Sequence, residues 1–302
     1  MNKKIFNLTT PILFLVFNRP DTTKQVFEEI RKAKPKELFI AADGPRNAEE
    51  KKKTDEVKKI VSKIDWPCKV KTLFRDKNLG CKYAVSGAID WFFENVECGV
   101  ILEDDCLPSQ SFFRFCQEML IKYKEDEKIM HISGTNVEVI SSLKESYFFS
   151  NTYNVWGWAT WKRAWKKYDV EIKDWEGIRF SKKFFKITEG YNFITRIKSW
   201  RLYQLTYSKK INTWDYQWDL CLKENLGLSI IPKKNSITNL GFDDGTHTTN
   251  YCLSKKTLEK KEITFPLIHQ GNKQVNFKYF KKYVLFFKRK VIDLINKKDY
   301  LR

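Results

Sequence analysis

Three consecutive carboxylates, Glu103, Asp104 and Asp105, sit in the stretch Gly99 to Pro108. Like charges packed this closely repel one another, which is costly unless the chain ends there at water or at a cation. A divalent ion relieves that repulsion. Oxygen-only ligands suit Mg or Mn, which bind through one or two carboxylates while nucleotide phosphates complete the shell. The same triplet would also serve as a solvated loop or as negative charge at a helix N-terminus. A second acidic cluster, Asp215 and Asp219, lies in Asn212-Thr213-Trp214-Asp215-Tyr216-Gln217-Trp218-Asp219. A carboxylate at such a helix start either stabilises the helix dipole or, near a hydroxyl, acts as a general base. His247, one of three histidines, falls in the polar loop Gly241 to Thr248. There it either hydrogen-bonds locally or completes a metal shell. The Trp-dense segment Val155 to Trp161 reads as a packing wedge or as a wall for a sugar ring to stack on.

Strands and helices must bring these residues together. Val100 to Leu102 is an aliphatic, β-branched run of the kind buried on both faces of a parallel sheet. Pro108 and Ser109 then open a helix, with Ser109 as N-cap and Phe112, Phe113, Cys116 and Leu120 on its apolar face. Upstream, a strand at Pro11 to Phe17 precedes a helix capped by Asp21. A second strand, Glu37 to Ala42, ends at Asp43-Gly44-Pro45. A helix at Ala48 to Ile64, a strand at Val70 to Phe74 and a helix at Leu79 to Phe93 follow. Ile129 to Ile132 and Leu228 to Ile231 are further strands, and Thr213 or Asp215 caps the helix between them. This alternation predicts an α/β fold with a doubly wound, mostly parallel sheet. Arg19, Asp43, Arg75 and the acidic triplet all fall just after strands, so they converge on the edge where ligands of such sheets gather.

The chain has 302 residues, 15% of them aromatic, and a formal net charge of +19. So basic a protein attracts polyanions, whether nucleic acid, anionic lipid or a diphosphate substrate. Seven scattered Cys without a Cys-x-x-Cys pair offer neither a disulfide framework nor a zinc site, which favours a reducing, cytoplasmic setting. No apolar run reaches the length of a membrane span. Residues 271–302 carry ten Lys or Arg against two Asp. Phe277, Phe280, Val284, Phe287, Val291 and Leu294 trace one face of an expected basic amphipathic helix. Such a helix lies on an anionic membrane, packs back on the domain or pairs with a second subunit.

As a set, Phe14 to Pro20, Asp43-Gly44-Pro45, Arg75 with Asn78-Leu79-Gly80, and Leu102-Glu103-Asp104-Asp105 resemble the nucleotide-sugar elements of GT-A fold glycosyltransferases. The likeness is to the bacterial family 2-like group and, more distantly, to the N-acetylglucosaminyltransferase I family. It covers most of residues 10 to 250, including Trp156-Gly157-Trp158 and Trp214-Asp215. The resemblance implies a GT-A domain over 1–270, with a nucleotide-binding half at about 10–145 and an acceptor half at about 146–270, and a basic helical tail beyond. It implies donor binding by Arg19, Asp43, Arg75, Glu103 and Asp104. It implies metal binding by Asp105 and His247, and an acceptor surface at Trp156, Trp158 and Trp214. Asp215 would be the base of an inverting transfer, with Asp219 as its rival. The implied partners are a Mn or Mg ion, a nucleotide-sugar donor, UDP-linked in the first instance, and a glycan or lipid-linked acceptor, and the basic tail motivates a place at the inner membrane surface. A homodimer through the C-terminal helix is a further expectation.

Two other classes compete. A nucleic-acid-binding protein would use the +19 charge and need no metal, yet an acidic triplet in the cleft repels a phosphate backbone. A nucleotidyltransferase shares the metal and nucleotide sites but normally carries a glycine-rich loop after its first strand, where Phe17-Asn18-Arg19-Pro20 has none.

Overall fold

The computed structural model describes residues 6–138, 143–242, 258–276 and 279. Four parallel strands form one side of an eight-stranded sheet: β1 (Ile12–Val16), β2 (Glu37–Ala42), β3 (Lys69–Phe74) and β4 (Cys98–Glu103), in the order β3-β2-β1-β4. Alternate residues supply two cores. Ile12, Phe14 and Val16 face one side with Leu38, Ile40, Val100 and Leu102, while Leu13, Leu15, Phe39 and Ile101 face the other. The first face is covered by α1 (Pro20–Ala33), α2 (Ala48–Val61) and α4 (Gln110–Lys122), whose Phe27, Val57 and Phe112 enter that core. The second is covered by α3 (Gly80–Asn95) through Ala88, Ile89 and Phe92. Helices on both faces are what connections between parallel strands require.

Beyond β4 the sheet changes character. A short strand β5 (Cys106–Pro108) leaves the acidic turn, and β6 (Ile129–Ser133), β7 (Tyr147–Ser150), β8 (Trp158–Trp161) and β9 (Leu228–Pro232) extend the sheet as β4-β8-β6-β9-β7. β8 is antiparallel to both β4 and β6, and β7 is antiparallel to β9. The sheet is therefore mostly parallel, with an antiparallel strand wedged at its centre. A strand β10 (Ile237–Asn239) pairs with β5 as a separate antiparallel ribbon. Residues 162–224 form a helical insert: α5 (Lys162–Trp165), α6 (Trp175–Ile178), α7 (Lys182–Ile187), α8 (Phe193–Tyr207) and α9 (Asp215–Glu224). Sequence periodicity anticipates β1 to β4, β6 and β9, and misses β5, β7, β8 and β10. At three or four residues each, these strands are too short for an alternating pattern to build up.

Two expected helix caps are corrected, and a third holds in position without its side-chain bond. Helix α1 starts at Pro20 with Arg19 at the cap position, and Asp21 lies inside the first turn. Ser109 occupies the N-cap of α4, but its hydroxyl pairs with that of Ser111. The free amides of Gln110 and Ser111 donate instead to the Glu262 carboxylate, at 3.2 and 2.9 Å. Trp214 is the N-cap of α9, and neither Thr213 nor Asp215 accepts a backbone amide there. His247 and residues 277–302 apart from Tyr279 lie outside the described residues, so the expected metal histidine, amphipathic tail and tail-mediated dimer do too. Tyr279 is buried against Phe148, with ring centroids 4.8 Å apart. Among the described residues no helix is long and apolar enough to cross a membrane.

Candidate active site

The ends of β1 and β4 meet at an ion-paired knot. Strand β4 stops at Glu103, and the turn that follows presents Asp104 and Asp105 to Arg19, at the start of α1. One guanidinium nitrogen lies 2.9 Å from Asp104 Oδ1 and the other 2.7 Å from Asp105 Oδ2. The second Asp104 oxygen accepts the Phe17 amide at 3.1 Å. The amide side chain of Asn18 donates to Glu50 of α2 at 2.9 Å, which fixes the β1–α1 turn from behind. Gly241 closes over the knot, because a Cβ there would lie 2.6 Å from Asp105 Oδ2 and 3.3 Å from the Arg19 guanidinium.

Charge is not balanced in this knot. Burial raises the Glu103 pKa, and the negative charges of Asp105, Asp104 and Asp215 add to the rise against the opposing pull of Arg19. Asp104 is likewise pushed up by burial and by Asp105, with Arg19 opposing. Burial lowers the Arg19 pKa, but Asp104 and Asp105 outweigh that and leave it raised. Three carboxylates, Glu103, Asp104 and Asp105, around a single guanidinium call for a further cation or for protons.

Asp215 belongs to this group although it is far from it in sequence. Its charge acts on Glu103 and on the Cys81 thiol, whose pKa is raised by desolvation and by Glu103, Asp215 and Asp43. Contacts through α3 bring Asp215 there. Asp43, at the end of β2, accepts the Gly44, Leu79 and Gly80 amides at 3.0 to 3.1 Å, so its carboxylate pins the start of α3. Gly44 must be glycine, since a Cβ would meet the Lys77 backbone at 2.4 Å. One turn into α3 the Lys82 amide donates to Asn212 Oδ1 at 3.0 Å. Gly80, at φ +73°, leaves room for the Asn212 side chain, which would lie 2.8 Å from a Cβ at that position. Thr213 then donates its hydroxyl to the Asp215 carboxylate.

Asn212 and Cys81 are the site residues that sequence reading missed. An Asn three positions ahead of a helix reads only as a turn residue, and a lone Cys carries no pattern. Arg75 turns away from the knot: its guanidinium donates to the Ala84 carbonyl at 3.1 Å along α3, and burial lowers its pKa while Asp43 opposes.

The expected acceptor wall is corrected in part. Trp158 and Trp214 are buried and stack on each other at 5.7 Å, within a layer that includes Trp165, Trp218 and His131. A fully buried indole offers no face to a sugar. What this layer does is seat α9, through Trp214 and Trp218, against the second face of the sheet. Trp156 is half-buried, and Thr135 donates to its carbonyl at 2.7 Å. Asp219, the rival base, is buried and accepts from Tyr203 and from Lys223 one turn on. Both donors tie it into the buried packing of α8 and α9.

Among the described residues no three His, Cys, Asp or Glu side chains cluster closely enough to enclose a metal ion. A closed protein cage is thereby excluded for those residues. The surplus of carboxylates suits an ion that takes one or two of them and fills its shell with phosphate oxygens and water.

No family model matches the chain, and no curated protein matches it. Among solved structures, HddC from Yersinia pseudotuberculosis is similar over 53% of this chain and 80% of its own, at 10% identity and a TM-score of 0.34. The 4-diphosphocytidyl-2C-methyl-D-erythritol synthase from Anaerococcus prevotii is similar over 52% of this chain and 74% of its own, at 10% identity and a TM-score of 0.31. Likenesses of this size reach about half of the chain and assign it neither a family nor an activity.

Proposed function

We propose that the chain is a metal-dependent transferase acting on a nucleotide-diphosphate sugar, built as a GT-A glycosyltransferase, with Asp215 as general base. The observation that carries this reading is the convergence of Asp215 with Glu103, Asp104, Asp105 and Arg19 at the carboxyl ends of β1 and β4. Asp105 would hold the Mn or Mg ion, with His247 a candidate second ligand, and Glu103 would face the donor sugar. Such an ion, when bound, would stabilise negative charge on the departing diphosphate. Arg19 supplies the fixed positive charge of the site. Asp104, held by Arg19 and by the Phe17 amide, would accept a ribose hydroxyl. Asp215 would take the proton of an acceptor hydroxyl as that oxygen attacks the sugar carbon opposite the leaving group, which inverts its configuration. Trp156 remains the candidate acceptor contact.

Titrating UDP, GDP, CDP and dTDP in turn, with and without Mn, tests the binding half of this reading. One nucleoside diphosphate is expected to raise the melting temperature in a Mn-dependent way, by mass action on the folded state. Asp105→Ala should weaken that binding by about tenfold or more, the usual cost of losing a metal-site carboxylate. A wild-type protein that ignores all four nucleotides, with Mn present, would sink the proposal.

Nucleotidyl transfer is the second reading, because it would employ the same carboxylates around Arg19. Incubation with a nucleoside triphosphate and a sugar phosphate separates the two, because only nucleotidyl transfer releases pyrophosphate.

A further inference from the structure

The helical insert carries a feature that the transfer chemistry does not use. Among the described residues thirteen large apolar side chains are strongly exposed, and five of them, Phe180, Phe185, Phe193, Ile194 and Ile197, fall within eighteen residues of chain. Phe180 and Phe193 are 76% and 74% exposed, values that hydrophobic burial would not leave on an idle surface.

These side chains form one surface. Phe193, Ile197 and Trp200 follow one another at helical spacing along α8, with Ile194 beside them. Phe180 packs on Trp200 with centroids 5.8 Å apart. Arg196 reaches over the Phe185 ring at 5.1 Å and donates to the Thr188 hydroxyl at 3.0 Å, which joins α7 to α8. The opposite face of α8 is committed: Tyr203 packs with Trp175 and Leu220, and Leu202 with Ile211 and Tyr216.

Charge selects the occupant. Residues 179–201 hold seven Lys or Arg against a single Glu, interleaved with the apolar residues. Arg179 lies over the Phe180 ring at 5.2 Å, and Lys182, Lys186 and Arg201 are exposed. Apolar side chains standing clear of the surface inside a rim of cations suit a lipid interface, where the former enter the acyl boundary and the latter meet anionic headgroups. A single-stranded nucleic acid would find Phe rings to stack on, but Ile194 and Ile197 stack no base.

We propose that the α7–α8 face docks the protein on an anionic membrane. This is a different element from the C-terminal tail, and the assignment stands apart from the transfer reaction.

Co-sedimentation of the full chain with vesicles tests this. The wild type should pellet with phosphatidylcholine vesicles containing phosphatidylglycerol, and much less with phosphatidylcholine alone. The triple variant F193S/I194S/I197S should lose about tenfold or more in apparent affinity, because it withdraws three apolar side chains from the acyl boundary. The charge variant K182E/K186E/R201E should lose binding as well. Circular dichroism should be unchanged in both, because every replaced side chain is exposed. Undiminished pelleting by the two variants would overturn the proposal, as would equal pelleting with both vesicle types. So would a wild-type dimer that F193S/I194S/I197S dissolves in the absence of any vesicle binding. Tighter wild-type binding to single-stranded RNA than to anionic vesicles would also reject it.

Discussion

Replacing Asp215 by Asn is expected to lower turnover of sugar transfer about a thousandfold, within the range usual for loss of a general base, while nucleotide affinity stays within a factor of about two. The amide keeps an oxygen to accept the Thr213 hydroxyl, and α9 keeps its seat on Trp214 and Trp218, so the fold has no reason to change. What disappears is the carboxylate proposed to take the proton of the acceptor hydroxyl. Steady-state turnover of a donor–acceptor pair, read beside a nucleotide titration, separates the two effects. Asp219→Asn is the informative contrast. It removes the charge that Lys223 and Tyr203 share in a buried cluster, and the cost of an unpaired buried ammonium falls on stability, at about 3 kcal/mol. Full turnover in Asp215→Asn would move the base elsewhere; a stable but inactive Asp219→Asn would move it to that residue.

Much of this site is written locally. The acidic triplet follows an aliphatic run, and Arg19 follows another. Their meeting requires only that β1 and β4 be neighbours, as they are. The strands from β1 to β4 are legible because each is a short apolar run separated from the next by a helix with its own apolar stripe. The half beyond Ser146 is less so, because β8 enters the sheet between β4 and β6, and no local pattern announces that insertion. That single placement turns Trp158 from an exposed wall into the centre of an aromatic layer. Asp43 illustrates the same limit: its position after β2 is plain, but its partners are amides of the β3–α3 turn, and only the sheet order brings them within 3.1 Å. Glu262, capping α4 from some 150 residues away, is beyond any reading of spacing.

Acid is expected to weaken the folded state through His131, and the sign follows from its partners. The ring lies fully buried on β6, stacked on Trp158 with centroids 5.1 Å apart. Trp218 donates its indole N–H to Nδ1 at 3.3 Å, and Nε2 donates to the Asn154 carbonyl at 3.0 Å. Only the neutral ring satisfies both, because a proton on Nδ1 would face the Trp218 donor. Burial lowers the pKa from 6.5 to about 3, with the Asn154 carbonyl opposing. Between those values the unfolded chain binds a proton that the native ring refuses. Stability from this residue is therefore complete above pH 6.5 and is lost as pH falls toward 3, with a slope of at most about 1.4 kcal/mol per unit. Glu103 and Asp104, whose pKa values are raised, act with the opposite sign: the native state holds their protons more tightly, so their contribution grows as pH falls. The comparison must therefore be a difference. In His131→Asn, the new amide oxygen still accepts from Trp218 but does not titrate. Urea unfolding from pH 7 to pH 4.5 should show the stability gap between wild type and variant closing by about 2 kcal/mol. Curves that fall in parallel would mean that the buried ring is not the acid-sensitive tie between β6 and the helix that carries Asp215.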